Sequence, residues 1–188
     1  MRELSLHILD LVQNSIAAGA SLIEIDIEEA VAKDLLTVRI KDNGCGMDKD
    51  FLQKVMDPFT TTRTSRKVGL GVPMMQAACR RCDGDLTITS EKGVGTELTA
   101  TFKYSHIDRA PIGNIVDTLV SLVMCSDGFD IIYRHSLDEE KFEFDTGEIK
   151  KVLGSGVSLS EPEVLNWIRD YLNEGLNNLR GGVGYENS

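Results

Sequence analysis

Three polar side chains near the start of the chain have a spacing that suits chemistry. His7, Asp10 and Asn14 stand three and four residues apart, on one face of a helix and opposite its apolar stripe. There Asn14 can offer its amide oxygen to a hydrated Mg2+, and Asp10 can orient or deprotonate a water. A plain solvated helix face satisfies the same spacing. A second group is Asp42-Asn43-Gly44-Cys45-Gly46-Met47, where an acidic side chain ends an apolar run and two glycines follow. Asp42 can accept a hydrogen bond from an exocyclic amine such as that of adenine. Gly44 and Gly46 would let a flat ring lie against the backbone. The same residues also spell a hairpin turn. Third, Val68-Gly69-Leu70-Gly71-Val72 puts two glycines at a loop-to-helix junction, where free N–H groups and the helix dipole favour an anion. Arg63, Arg66 and Lys67 lie just upstream and could add charge for a polyphosphate. Last, Gly93-Val94-Gly95-Thr96 is a tight turn whose Thr96 could bring a hydroxyl near Asp42.

The elements that must position these groups follow from periodicity. Leu4, Ile8, Leu11, Val12 and Ile16 recur at helical spacing over 3–18, and Gly19 stops that helix. Residues 22–28 alternate Ile23, Ile25 and Ile27 with acidic residues, and 35–41 alternate Leu36, Val38 and Ile40: two strands, each with one buried face. A short helix is expected at 51–56, a threonine-rich loop at 57–69 and a helix from Gly71 to about Cys82, with Pro73 in its first turn. Strands at 86–90 and 96–103 follow. Beyond Pro111 the pattern predicts a helix (112–125), a hairpin (129–135 with 141–145), a short helix near Glu148 and a helix over 161–179. That last helix carries a cap signal at Ser160-Glu161-Pro162-Glu163. Its stripe of Val164, Leu165, Ile168 and Leu172 reads first as core packing and second as a partner surface. The fold class is α+β: a two-layer sandwich with helices on one face of a mostly antiparallel sheet, plus a C-terminal helix–hairpin–helix extension.

Separately each motif is a turn, a cap or a polar face; their order is more specific. Asn14, the Asp42 loop, the threonine-rich stretch, Gly69-Leu70-Gly71 and Gly95-Thr96 together resemble the GHKL, or Bergerat-fold, ATP-binding superfamily over about residues 3–104. That group takes in gyrase B subunits, large heat-shock chaperones, histidine kinases and mismatch-repair ATPases. DLVQNSIAAGASLIEIDI and DNGCGM look most like the mismatch-repair and gyrase branch. DPFTTTR, GLGVPMM and EKGVGTELTATF look more like the histidine-kinase branch.

The resemblance implies ATP and Mg2+ as cofactors, with Asn14 as the metal ligand. Asp10 would be the general base, where the family usually has the longer glutamate. Asp42 would read the adenine amine in a pocket shaped by Gly44, Gly46 and Thr96. Gly69, Leu70 and Gly71 would contact the phosphates under a lid formed by 57–68. Lys67, standing where kinases usually have a glycine, would contact phosphate or remain solvated. The activity implied is ATP hydrolysis or transfer of the γ-phosphate to a partner protein. The alternative is an ATP-switched interaction module, anti-sigma-like or dimerising, with a homodimer as one form. A sensor kinase carries a phosphoacceptor-histidine region ahead of this domain; few residues precede His7, so the expectation is the ATP-binding domain without it. His7, His106 and His135 are then structural or exposed. Such a domain also has a strand ahead of its first helix, and the 129–145 hairpin is expected to take that strand's place at the sheet edge.

Composition bounds the rest. At 41% hydrophobic and 27% charged, 188 residues make an ordinary globular chain. The net charge of −10 argues against nucleic-acid binding. Residues 1–105 carry 13 basic and 15 acidic side chains, net −2, and 106–188 carry 7 and 15, net −8. Hence the division into an ATP-binding domain (1–105), an acidic α/β extension packed on it or adding to it (106–180) and a flexible tail (181–188). No apolar run is long enough for a membrane span, no signal peptide is evident, and four cysteines read as reduced thiols in a cytoplasm. Cys79 and Cys82 form a lone C-x-x-C, too little for a metal site.

Overall fold

The computed structural model describes residues 3–57 and 70–181. The expected lid and tail, with Lys67 and Gly69, lie outside or almost wholly outside those ranges.

Alternation of Ile23, Ile25 and Ile27 makes β1 (Leu22–Ala30), and alternation of Leu36, Val38 and Ile40 makes β2 (Leu35–Asp42). The two pair antiparallel, joined by a 3₁₀ turn at Val31–Lys33 that the periodicity does not predict. On the far side of β2 lie β4 (Gly95–Lys103) and then β3 (Leu86–Glu91). The hairpin of β5 (Asp130–Leu137) and β6 (Glu140–Asp145) completes a six-stranded sheet in the order β3-β4-β2-β1-β5-β6. As expected, the hairpin joins the sheet, with β5 parallel to β1 from Leu22↔Asp130 to Glu29↔Leu137. This gives partners to the N–H and C=O groups that β1 would otherwise expose.

One face of the sheet is apolar and covered. Against it lie α1 (Leu4–Ala17), α3 (Gly71–Arg81), α4 (Ile115–Met124) and α6 (Pro162–Leu179). Leu4, Ile8, Met75, Leu119, Ile168 and Leu172 are fully buried with the strand isoleucines, each burial stabilising by about 1.5–3 kcal/mol. The other face is polar: Arg134 reaches Glu24 at 2.8 Å, Asp26 at 3.2 Å and Glu143 at 2.8 Å. This is the two-layer α+β architecture expected.

Several local expectations change. The helix expected over 112–125 begins at Ile115, because the Asn114 side chain caps it by accepting from Asp117 N–H at 3.0 Å. Pro111 and Ile112 instead accept hydrogen bonds from the N–H groups of Leu4 and Ser5. Ser160 does not cap α6; Glu161 precedes the helix without a side-chain cap bond, its carboxylate accepting from Ser158 N–H instead, and the Ser160 hydroxyl pairs with that of Ser158. Two short helices complete the chain: α2 (Lys49–Met56), capped by Asp48, and α5 (Thr146–Leu153), capped by Asp145.

Candidate functional site

The chain turns at Asp42 into a loop leading to α2, not into a paired strand, so the hairpin reading of DNGCGM fails. Asp42 ends β2 on the helix-covered face. Its Oδ2 accepts from the Ser15 hydroxyl at 2.5 Å, and its Oδ1 accepts from Gly44 N–H at 2.9 Å. Ser15, buried on α1, thereby ties the helix that carries Asp10 and Asn14 to the strand end that carries Asp42. On the neighbouring strand Thr96 is the direct register partner of Asp42. The Thr96 hydroxyl lies 2.8 Å from that of Ser90, which accepts from Met47 N–H at 2.8 Å. The β2–β4 pairing thus brings Asp42 and Thr96 together, and two serines that the sequence does not single out hold their side chains, Ser15 on Asp42 and Ser90 on Thr96.

The loop glycines serve the chain's own packing. Gly46 adopts φ +64°, and a Cβ there would collide with the carbonyl of Glu91. A Cβ on Gly44 would stand 2.9 Å from Ala18 Cβ. Both therefore hold the loop against β3 and the end of α1, and the surface their missing side chains bare is covered by protein.

Asp10 and Asn14 are half-buried on α1, and neither side chain has a hydrogen-bond partner among the described residues. Facing them is the start of α3. A Cβ placed on Gly71 would lie 3.4 Å from Asp10 Cβ and 3.9 Å from Asn14 Nδ2. Leu70 precedes α3, 64% exposed, and among the described residues no side chain caps that terminus. The Gly71 and Val72 N–H groups and the positive dipole end therefore meet the polar edge of α1. Such a corner suits an anion together with a cation held by Asn14.

His7, expected to be structural or exposed, is buried. It is 4% exposed, and burial pushes its pKa below the usual histidine value. Its Nδ1 has no hydrogen-bond partner among the described residues. Cys79 and Cys82 are core residues, and burial pushes the Cys79 thiol up to about 12, far from a reactive thiolate. Among the described residues no cluster of three His, Cys, Asp or Glu side chains could hold a metal. A cavity of about 520 Å³ opens beside Asp42 and Thr96, but Glu24, Lys41 and Glu97 of the helix-free face wall it. It is not the space between α1 and α3.

The polar corner between α1 and α3 sits on a two-layer α/β sandwich, and comparison with known proteins defines the family. Residues 2–106 match the family described as histidine kinase-, DNA gyrase B-, and HSP90-like ATPases, and the chain belongs to it. ATP binding is the property this domain brings. The signal transduction histidine-protein kinase AtoS of Escherichia coli is 32% identical over 93 residues, 49% of this chain and 15% of that one. The DNA mismatch repair protein MutL of Yersinia pestis is 46% identical over 56 residues, 30% of this chain and 8% of that one. The chain thus spans less than a fifth of the length of the curated relatives it matches. In fold it is similar to the N-terminal domain of a DNA repair protein, with a TM-score of 0.54 at 15% identity, covering 83% of this chain and 58% of that one. Both branches seen in the motifs are represented. Among the described residues no helix is long and apolar enough to cross a membrane.

Proposed function

We propose that the chain is a Mg2+-dependent ATPase or phosphotransferase acting in the cytoplasm, with the γ-phosphate passed to water or to a side chain of a partner protein. The observation that carries this reading is the meeting of Gly71 with Asp10 and Asn14. It sets a helix N-terminus that no described side chain caps against a carboxylate and a carboxamide that have no protein partner among the described residues.

Asp42, fixed by Ser15 and Gly44, keeps an acceptor at the strand end for the adenine amine, and the Thr96–Ser90 hydroxyl pair stands next to it. The N–H groups of Gly71 and Val72 hold phosphate oxygens. Asn14 would hold Mg2+, which supplies charge neutralisation for the phosphates when bound. Asp10 takes the proton of the attacking water or hydroxyl, so that the γ-phosphate leaves ADP as the new P–O bond forms. Gly44 and Gly46 act through the loop they hold in place. Gly69 and Lys67 are assigned to phosphate by their place in the motif.

Phosphate release with and without Mg2+ tests the reading. The expected result is slow turnover that stops on chelation. ATP binding that survives Asp42→Ala unchanged would overturn the assignment of the pocket.

A further inference from the structure

The C-terminal half presents an apolar surface that the ATP site does not use. Between α5 and α6 runs a groove of about 420 Å³ lined by Ile149, Val152 and Leu153 on one side and by Val164 and Trp167 on the other. Those on α5 stand at i, i+3 and i+4; those on α6 at i and i+3, with Tyr171 one turn further and stacked on Trp167 at 5.3 Å. Val152 is 87% exposed and Trp167 52%. Leaving an indole and a valine in water forfeits burial that the rest of α6 obtains through Ile168 and Leu172, both 0% exposed.

The charged residues that line this groove have one sign. Glu148 and Glu163 line it. The nearby cations are already matched: Lys150 with Asp130, Lys151 with Glu148 and Arg169 with Asp117. Glu163, Asp170 and Glu174 of α6 have no ion pair among the described residues, and this half of the chain carries −8 of the net −10. An apolar seam between two helices receives a third helix, whose i, i+3 and i+4 side chains fill it as a ridge.

We propose that the α5–α6 groove docks an amphipathic helix with basic flanks from a partner protein. The apolar face of that helix would cover Val152 and Trp167, and its Lys or Arg flanks would meet Glu163, Asp170 and Glu174. A second copy of this chain would bring two acidic rims together, and an anionic lipid surface would be repelled by the same carboxylates.

Trp167 is the chain's one tryptophan, so its emission reports the groove directly. The full chain is titrated with a synthetic 18-residue amphipathic helix of Leu and Lys, and with the same peptide carrying Glu for Lys. The Lys peptide should saturate, move emission to shorter wavelength and bind several-fold more weakly at about 0.5 M salt, where screening is strong. The Glu peptide should bind at least about tenfold more weakly, and Val152→Arg should weaken the Lys peptide by at least about tenfold. Val152 is almost fully exposed, so this variant should keep its circular dichroism and ATP binding. The proposal is overturned by an unmoved emission, by equal binding of the two peptides, or by Val152→Arg binding like the parent. A blue shift on concentrating the protein alone, or on adding phosphatidylcholine vesicles, would assign the groove to another occupant.

Discussion

The two ends of the central strands treat buried polar groups in opposite ways. At the Glu29 end, everything is paired. His135 Nε2 lies 2.6 Å from Glu29 Oε1, Tyr133 OH lies 2.7 Å from His135 Nδ1, and Tyr104 OH donates to Glu29 Oε2 at 3.1 Å. Arg180, just past α6, adds a charge at 3.8 Å. Tyr133 and His135 are at most 1% exposed. At the Asp42 end, only the groups that hold the frame are paired, and Asp10 and Asn14 have no side-chain partner among the described residues. A closed network joins elements and offers a ligand nothing; an open one has valence to spare. The Glu29 end fastens the C-terminal hairpin and α6 to the sheet, and the Asp42 end carries the proposed site.

The sharpest way to break that contrast is Asp10→Asn. Turnover should fall by about 10²–10⁴, with ATP affinity nearly unchanged, as read by phosphate release and by binding calorimetry. Turnover that persists would remove Asp10 as the base. His135→Ala attacks the closed end. It leaves the Glu29 carboxylate buried without its main partner and should cost about 3–5 kcal/mol in urea unfolding, while the folded fraction still binds ATP. Lost nucleotide affinity per folded molecule would show that the two ends are not separate. Asp42→Ala removes an ionised acceptor, worth about 1.5–3 kcal/mol, and should weaken ATP binding by roughly ten- to hundredfold with little effect on the Glu29 end.

The smallest effect is one of pH. Burial opposes ionisation of Glu29, but the hydrogen bond and charge of His135, then the hydrogen bond of Tyr104, outweigh it and hold the carboxyl below its usual value. A carboxyl depressed in the folded state contributes stability above its unfolded pKa of about 4.3. That contribution is lost as pH falls from there through the depressed folded value. Glu29→Gln should therefore be less stable near neutrality and show a shallower loss in the acid limb. Parallel acid limbs in parent and variant would exclude the linkage.

The candidate site was legible because its motifs are local. Asp10 and Asn14 share a helix face, Asp42 ends a strand, and Gly71 starts a helix, each within a few residues of its own pattern. Ser15 and Ser90 were not legible. Ser15 bonds a group 27 residues away and Ser90 one 43 residues away, and no short pattern marks either. The glycines of DNGCGM were legible as special but for a different reason: they face Ala18 and Glu91, contacts that exist only once α1 and β3 are in place. The partner of His135 was not legible, since Glu29 lies 106 residues from it.

What the sequence alone determined is therefore the main helices and strands, the two-layer α+β class and the family motifs, because hydrophobic period and glycine placement act over one or two turns of chain. That the hairpin would sit parallel to β1 could be expected only as an added edge; its register, the closure of Glu29 by His135 and the approach of Gly71 to Asn14 were decided by tertiary packing. Those contacts join residues tens to more than a hundred positions apart, and their energy appears only when the helix layer closes on the sheet.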